Sequence, residues 1–423
     1  MKPEIKQRIE QLNNGKIPKG YKKTDFGVFP SDWVTDKTLG DLFDFYGGLS
    51  KSRDELGEEG YAYLHYGDLH RGTFNTVSID HYEQLPKCDI SLTGKEKCLM
   101  KDGDVAFLDA SEDLEGTSRA VLIDNPESKP FIAGLHIIYG KAKNNNLDKW
   151  FKQYITSSES VKKQFQRLSV GFKVYGVNRD TIPHIKVAFP SSNKEQSRIV
   201  EILMKWDKAI ELYDKQIDAL TRYKAVCLKK MFPIKGQSVP EWRFQGFSGD
   251  WEQRKLGDIA SDMVAGGDID KDLILAEGQY PVIANALTGD GIVGYYDKEY
   301  RVSAPAVTVT GRGDVGHAKA RLVNFTPVVR LLSVKSEHDV FFLENAINTL
   351  KIVIESTGVP QLTVPQLAKY EVAFPRQLDE EKQIGAFFQQ LDHLITLHQR
   401  KKEVITNQRK TLQQYLLNGI IRV

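Results

Sequence analysis

The chain has 423 residues, of which 41% are hydrophobic and 27% are charged, and its formal net charge at pH 7 is +2. These values are typical of globular proteins and argue against a fibrous or disordered chain, while the length predicts roughly two to four domains. The sequence has neither an apolar run long enough to span a membrane nor a secretion signal, so we expect a cytoplasmic protein with no membrane partner. A charge this small provides no whole-molecule attraction for nucleic acid, which would need local clusters of Lys and Arg.

The chain repeats itself once. Residues 187–190 read Val-Ala-Phe-Pro and recur at 372–375, an offset of 185 (372 − 187). Earlier in each half, Phe-Pro-Ser-Asp-Trp at 29–33 resembles Phe-Ser-Gly-Asp-Trp at 247–251, an offset of 218 (251 − 33). The offsets differ because the first globular segment is longer than the second. The period far exceeds the roughly 20–50 residues of solenoid repeats, so the pattern predicts a duplicated domain pair with pseudo-two-fold symmetry.

A long helix is predicted after the first Phe-Pro, from about Lys194 to Met231. Apolar residues recur there at alternating spacings of four and three, the pattern of a coiled-coil seam, and Lys224 is the one polar residue in the series. The apolar seam positions are Ile199, Leu203, Trp206, Ile210, Tyr213, Ile217, Leu220, Cys227 and Met231.

A second long helix is predicted at the end of the chain, from about Glu380. Adding 185 to the first seam gives a second series in which three positions are polar. These positions are Ile384, Phe388, Leu391, Ile395, His398, Lys402, Ile405, Arg409, Leu412 and Leu416. The two seams predict an antiparallel pair within one chain that holds two globular segments apart; a dimerisation element is the alternative.

The two globular segments mix short β-rich runs with turn signals and helices. Strands are predicted at 105–108, 119–123 and 306–310, and a helix at 148–168. We therefore expect α/β domains with partly antiparallel sheets inside a chain of α+β class. The predicted boundaries are 1–25 for an N-terminal helix and lead-in, 26–190 and 234–375 for the two globular domains, and 191–233 and 376–423 for the spacer helices.

Loops that combine Gly with basic, amide and aromatic side chains are the candidate DNA readers. Arg pairs with guanine and Asn or Gln with adenine through two hydrogen bonds, whereas Lys mainly contacts phosphates. The candidates are Arg71, Arg119, Lys173, Tyr175, Asn178 and Arg179 in the first segment, and Arg312, His317, Lys319, Arg321 and Gln361 in the second. An ordinary surface role is the alternative for each of them.

The motifs of common nucleotide-binding, metal-binding and methyltransferase sites are either missing from the sequence or stand in the wrong context. Residues 311–316 match GxGxxG, but residues 317–323 read as a strand rather than the helix that a dinucleotide site needs, so a hairpin turn is predicted. Neither a phosphate loop, nor an HExxH zinc helix, nor the tetrapeptide of amino-methyltransferases occurs. Three cysteines, Cys88, Cys98 and Cys227, are too few and too badly spaced for a disulfide framework or a metal site. We expect no active site, no metal and no bound cofactor.

The sequence resembles the specificity subunits of type I restriction-modification systems. The matching features are Gly-Tyr-Lys at 20–22 before residues 29–33, Phe-Pro at 189–190 before the first helix, the linker from Met231 to Gly257, and the closing helix. Together they cover nearly the whole chain.

The resemblance implies a non-catalytic subunit with two target-recognition domains, each of which reads one half of a bipartite double-stranded DNA site. It also implies two methyltransferase subunits that bind S-adenosylmethionine and methylate adenine, and motor-nuclease subunits that use ATP and Mg²⁺. The family provides no base-contacting residue that can be transferred to this sequence. Two alternatives stay open: a coiled-coil scaffold or adaptor, and the specificity subunit of a methyltransferase-nuclease system of another type.

Overall fold

The structure is a computed structural model, and it describes residues 2–70, 76–91, 96–111, 118–143, 147–169, 175–234, 236–352 and 361–423. The chain divides into two compact units. Unit 1 comprises Met1–Glu211 and Glu403–Val423, and unit 2 comprises Leu212–Lys402. Each unit therefore contains one globular segment, which we call its head, together with part of each long helix.

Along the chain, the first head is preceded by helix α1 and followed by the long helix α6, and both are included in the order that follows. Its elements, in chain order, are α1 (Pro3–Asn13), β1 (Tyr21–Lys23), β2 (Val28–Pro30), β3 (Val34–Thr38), α2 (Leu39–Leu42), β4 (Phe43–Gly47), β5 (Tyr61–Leu64), α3 (Tyr66–His70), β6 (Thr76–Ser78), β7 (Lys87–Cys88), β8 (Leu99–Met100), β9 (Val105–Leu108), β10 (Ala110–Ser111), β11 (Ala120–Asp124), β12 (Phe131–Ala133), β13 (Ile137–Ala142), α4 (Lys149–Thr156), α5 (Glu159–Leu168), β14 (Tyr175–Gly176), β15 (Lys186–Phe189) and α6 (Asn193–Met231).

Two main sheets form most of the first head, and among the described residues three two-stranded sheets, β1-β2, β10-β14 and β15-β3, accompany them. The larger has the strand order β4-β13-β9-β11-β6 and the smaller β7-β5-β12-β8. Most neighbours are antiparallel, but β11 with β6 and β12 with β5 are parallel. The larger sheet packs against α4 and α5 through the side chains of residues such as Phe107, Phe151 and Phe165, all of which are buried.

The second head follows the same plan with fewer strands. Its elements are β16 (Glu252–Lys255), α7 (Leu256–Ile259), β17 (Ala260–Ala265), β18 (Tyr280–Ile283), β19 (Ile292–Tyr296), β20 (Ala306–Thr310), β21 (Ala318–Arg321), β22 (Thr326–Pro327), β23 (Leu331–Ser336), α8 (Val340–Asn348), α9 (Val364–Leu367), β24 (Glu371–Phe374) and α10 (Leu378–Leu417). The strand orders are β17-β23-β20-β21 and β19-β18-β22. The first corresponds strand for strand to β4-β13-β9-β11 of the first head.

Each head shares its core with one end of each long helix. In unit 1, Ile199 and Leu203 of α6 and Leu416 of α10 belong to the core of the first head. In unit 2, Ile384 and Phe388 of α10 and residues at the end of α6 belong to the core of the second head. The apolar seam positions at these helix ends are buried. The other predicted seam residues, Trp206, Ile210, Ile217, Leu220, Ile395, Ile405 and Leu412, are partly buried.

Two sequence predictions in the heads have different outcomes. The helix predicted at 148–168 is in fact two helices, α4 and α5, because Ser158 is extended (φ −66°, ψ 150°) and starts a new helix. The hairpin predicted for the GxGxxG segment is confirmed, since β20 and β21 pair antiparallel on either side of it. Among the described residues, no helix is both long and apolar enough to cross a membrane.

Gly385 lies inside α10, where glycine is normally unfavourable. A Cβ at this position would lie 2.0 Å from Oδ1 of Asp339, the residue that caps the start of α8 by accepting hydrogen bonds from Phe341 N and Phe342 N. The glycine therefore allows the N-terminus of α8 to pack directly against α10.

Gly48 lies where the chain leaving β4 touches the loop before β13. A Cβ there would lie 2.0 Å from the carbonyl oxygen of Gly134, so we expect Gly48→Ala to lower the free energy of unfolding by about 1–3 kcal/mol through overpacking. The matched control is Gly57→Ala, since a Cβ at Gly57 meets no atom within 4 Å. Urea denaturation of both variants checks this, and equal stabilities would contradict it.

Candidate functional site

One end of the larger sheet in the first head brings together four chain segments, and we call this place the first corner. The Gly48 amide donates to the Ile137 carbonyl at 2.9 Å, and the Val177 amide donates to the Asp109 carbonyl at 2.8 Å. These bonds join the end of β4, the end of β9, the start of β13 and the segment after β14. Most of the side chains that this corner presents come from loops rather than from strands.

The second head has an equivalent place, which we call the second corner. The Gly266 amide donates to the Leu331 carbonyl at 2.7 Å, and the Leu362 amide donates to the Gly311 carbonyl at 2.7 Å. These bonds join the same four segments as in the first corner. The correspondence of residue 177 with 362 has the same offset, 185 (362 − 177), as the Phe-Pro repeat.

Each corner contains one residue with a left-handed backbone that is not glycine. His136 has φ 58° and Arg330 has φ 78°, and each residue immediately precedes the inner strand, β13 or β23. Such a conformation is uncommon for residues with a Cβ and costs free energy. The same unusual backbone in both heads shows that the repeat extends to the detailed shape of the two corners.

The first corner surrounds an open cavity of about 500 Å³. The exposed His136 ring is held by Asp109, with Nδ1 3.0 Å from Oδ1. Asn178 uses its Oδ1 to accept from Asp180 N at 2.9 Å, which forms a tight turn and places Arg179 beside Gly47. The cavity is lined by Gly47, Gly48, Asp109, Leu135, His136, Ile137, Ile138, Val177, Asn178 and Arg179.

The second corner is held by amide and guanidinium groups. The Arg330 guanidinium donates to Oε1 of Gln361 at 3.1 Å. Asn285 donates from Nδ2 to the Arg312 carbonyl at 2.7 Å and accepts from the Gly311 amide at 2.7 Å. Gln361 also forms a β-bridge with Arg312, so these side chains stand on neighbouring backbone segments.

The structure places four predicted residues of the first head at the end of the sheet that carries the corner. Asn178 and Arg179 line the cavity, Tyr175 pairs with Ser111 in β14, and the Arg119 carbonyl accepts from the Leu108 amide. Burial lowers the pKa of the partly buried Arg119. Arg71 and Lys173 lie outside the described residues.

The predicted residues of the second head separate into two groups. Arg312 and Gln361 belong to the second corner, and the His317 carbonyl accepts from Thr310 N at the same end of the sheet. By contrast, Lys319 and Arg321 lie further along β21, where Lys319 pairs with Asp290 and Arg321 donates to Oγ1 of Thr308. The role of all these residues in DNA binding stays a prediction.

The corners also contain polar residues that sequence reasoning missed, namely His136, Arg330, Asn285 and Asp109. They are distant along the chain from the residues they meet, and a left-handed backbone at His or Arg leaves no signal comparable to a glycine. Their local sequences carry none of the Gly-rich patterns that directed attention to residues 311–316. These residues are identified only when the three-dimensional structures of the two heads are compared.

The long helices pair antiparallel in each unit, and the polar positions of the seam contribute to this pairing. In unit 1, Arg409 binds Asp207 at 2.8 Å. In unit 2, Lys402 binds Asp214 at 2.5 Å and Lys224 binds Asp392 at 2.6 Å. The first and last of these pairs are repeat equivalents, since 392 − 207 and 409 − 224 both equal 185. The fourth polar position, His398, makes an edge contact with the ring of Tyr213.

The start of each long helix is bound by an arginine that follows the end of the other. Arg422 binds Glu195 at 2.6 Å and Asp32 at 2.7 Å, and its guanidinium lowers the pKa of Asp32. In unit 2, Arg243 binds the buried Glu380 at 2.7 Å. Glu195 and Glu380 are separated by 185 residues, so each head is attached to its helix pair by the same kind of charge-assisted contact.

Glu344 of α8 lies close to the Lys224–Asp392 pair. Burial, aided by the negative charge of Asp392, raises the pKa of Glu344 from 4.5 to about 6. Between these values the folded chain retains a proton that the unfolded chain has released. Its contribution to stability is therefore fully present below about pH 4.5 and is lost as the pH rises through 6.

Glu344→Gln resembles the protonated form and should avoid this loss. We expect the free energy of unfolding of the variant, relative to the native chain, to rise by on the order of 2 kcal/mol between pH 4.5 and 7.5. Urea denaturation at the two pH values measures it, with Glu371→Gln as the control at an exposed carboxylate. A difference that does not change with pH would refute this assignment.

Comparison with known proteins agrees with the repeated architecture. The chain matches the family described as Type I restriction modification DNA specificity domain over residues 30–222 and 248–407. It is 23% identical over 421 residues to the putative type I restriction enzyme MjaX specificity subunit of Methanocaldococcus jannaschii, covering 95% of this chain and 97% of that one. A putative type I specificity subunit of Mycoplasma pneumoniae is 31% identical over 137 residues, which are 31% of this chain and 37% of that one.

Two solved structures share the fold. The crystal structure of the type I restriction-modification system S subunit from M. genitalium aligns with a TM-score of 0.61 and 16% identity, covering 91% of this chain and 96% of that one. A chain from a structural study of type I system assembly and conformational transition aligns with a TM-score of 0.54 and 14% identity, covering 96% and 100%. Because the family match falls in two segments, one for each repeat, and together they cover most of the sequence, the chain belongs to the type I restriction-modification DNA specificity family.

Proposed function

We propose that this chain recognises a bipartite double-stranded DNA site, with each head reading one half-site and the paired helices setting the distance between the half-sites. The observation that carries this proposal is the duplication of one corner, with the same backbone hydrogen bonds, in two heads that share two antiparallel helices. Two readers in one chain multiply their affinities only when their separation matches that of their targets.

The chain acts in this proposal as the non-catalytic specificity subunit of a cytoplasmic complex. Two methyltransferase subunits use S-adenosylmethionine to methylate adenine, and motor-nuclease subunits use ATP and Mg²⁺ to restrict unmodified DNA. This chain supplies the binding and positioning step. The corners suit that task, because they present exposed donors and acceptors from several segments on a sheet framework, and such groups read base edges.

The net charge of +2 also has a consequence for binding. Since the chain as a whole attracts DNA only weakly, its affinity depends on local contacts to phosphates and bases. Binding by the assembled complex should fall steeply with added salt, as counterions displaced from the phosphates become harder to release. A scaffold whose heads bind other proteins would show no such salt-dependent binding to duplex DNA.

Lengthening both helices by one heptad should lengthen the unspecified gap in the DNA site. Seven residues inserted between Asp207 and Asp214, and seven between Lys402 and Arg409, keep the flanking ion pairs and add roughly 10 Å to the helix pair. At about 3.4 Å per base pair, we expect a gap longer by about 3 base pairs. Methylation-site mapping in cells that express the variant with its methyltransferase subunits measures the gap.

The control for this insertion replaces the same stretches with heptads of equal length, which should leave the gap as it is. Both half-site sequences should stay the same in either variant, because the corners are not altered. An unchanged gap in a lengthened variant that still methylates DNA would contradict the spacer role of the helices.

A further inference from the structure

The two corners have the same backbone but different side chains. Where the first corner has His136, the second has Arg330, and the two residues share the left-handed conformation. The segments that start at residues 176 and 361 correspond through the equivalent bonds of Val177 and Leu362. In this alignment Gly-Val-Asn-Arg at 176–179 corresponds to Gln-Leu-Thr-Val at 361–364. The second position is apolar in both segments, whereas the polar residues differ.

The residues that hold each corner together are therefore distinct from the polar side chains that the corner exposes. Val177 and Leu362 are buried in the cores of their heads, and their amides make the equivalent hydrogen bonds. The exposed positions around them carry groups with distinct hydrogen-bonding chemistry. Two readers built on one framework would need such variation in order to prefer different bases.

The second corner presents mainly donors. Arg330 uses one nitrogen of its guanidinium to hold Gln361, and the other side of a guanidinium can bind the O6 and N7 acceptors of guanine. The Gln361 amide is exposed and its oxygen is engaged by Arg330, so its NH₂ group is oriented as a donor. This corner therefore fits an acceptor-rich purine edge.

The first corner presents a mixture of groups. Asp109 contacts Nδ1 of His136 at 3.0 Å, which fixes the ring and directs Nε2 away from the carboxylate. Arg179 is exposed, and its guanidinium lies against Gly47, where a Cβ would be 3.6 Å away. An imidazole beside a guanidinium combines a group that can accept with one that only donates.

We propose that four polar side chains of the two corners determine which bases each half-site contains: the exposed His136 and Arg179 in the first head, and the partly buried Arg330 and exposed Gln361 in the second. This inference rests on the proposed function and adds to it the residues that carry specificity. The left-handed residue is the pivot of each corner, because its backbone directs its side chain beside the 176–179 or 361–364 segment. Contact of the same side chains with phosphates alone is the competing outcome.

The test uses the full chain assembled with its methyltransferase subunits and a library of randomised DNA duplexes. The substitutions are His136→Asn and Arg330→Asn, because Asn tolerates the left-handed backbone and the fold should persist. Selection with the native complex first defines its two-part site. We expect His136→Asn to change the preferred bases at one or two positions of one half-site, and Arg330→Asn to do so only in the other. Each variant should lose roughly 5- to 150-fold in binding to the native site.

Lys141→Ala is the matched control, since Lys141 is exposed near the far end of β13, the strand that His136 precedes. It should select the native site. The inference is overturned if the Asn variants weaken binding to all sequences equally, as loss of a phosphate contact would, or if one variant alters both half-sites. A native complex that selects no two-part site would instead refute the proposed function itself.

Discussion

The structure depends on the antiparallel pairing of α6 and α10, which lets one chain support two heads by the same means. Apolar seam residues alone would permit several registers, because one heptad resembles the next. The polar positions restrict that choice: Lys224, Lys402 and Arg409 each meet an aspartate on the other helix. A shift of register by one heptad in either direction would leave only one of these three cations opposite an aspartate. The ion pairs are partly exposed and add little stability individually, so their main effect is to specify the register.

The repeat reaches further than sequence motifs suggest. Glu195 and Glu380 start the two long helices, and each is bound by an arginine from beyond the end of the other helix. The next residue of each helix contacts the residue that caps the packing helix of its head. Gln196 accepts a hydrogen bond from the amide of Asp148, which caps α4. Glu381 accepts one from the amide of Asp339, which caps α8, and also binds His338. Each head is thus tied to the helix pair through the N-terminus of its own packing helix. Duplication has preserved a mechanical attachment as well as a fold.

Much of this arrangement could be predicted from the sequence, and the remainder could not for definite reasons. The seams follow from periodicity, and the strands at 105–108 and 306–310 follow from β-rich runs between turns. The division of residues 148–168 into two helices was missed, because the apolar pattern continues across Ser158. The polar seam residues could be recognised but not paired, since their partners depend on the antiparallel register. Four corner residues, Asn178, Arg179, Arg312 and Gln361, could be selected from their loops. The corners themselves could not be predicted, because each joins four distant segments around a left-handed His or Arg.

In this chain, the residues that build the heads are distinct from the side chains that the corners expose. Backbone bonds and buried residues repeat, while the exposed groups of the two corners differ, and the helices belong to both units. The central claim is that each head reads its half-site independently. It is tested most directly by replacing residues 26–190 with the corresponding head of another specificity subunit and mapping methylation by the assembled complex. The account predicts that one half-site changes while the other half-site and the gap stay the same; a change in both half-sites would contradict it.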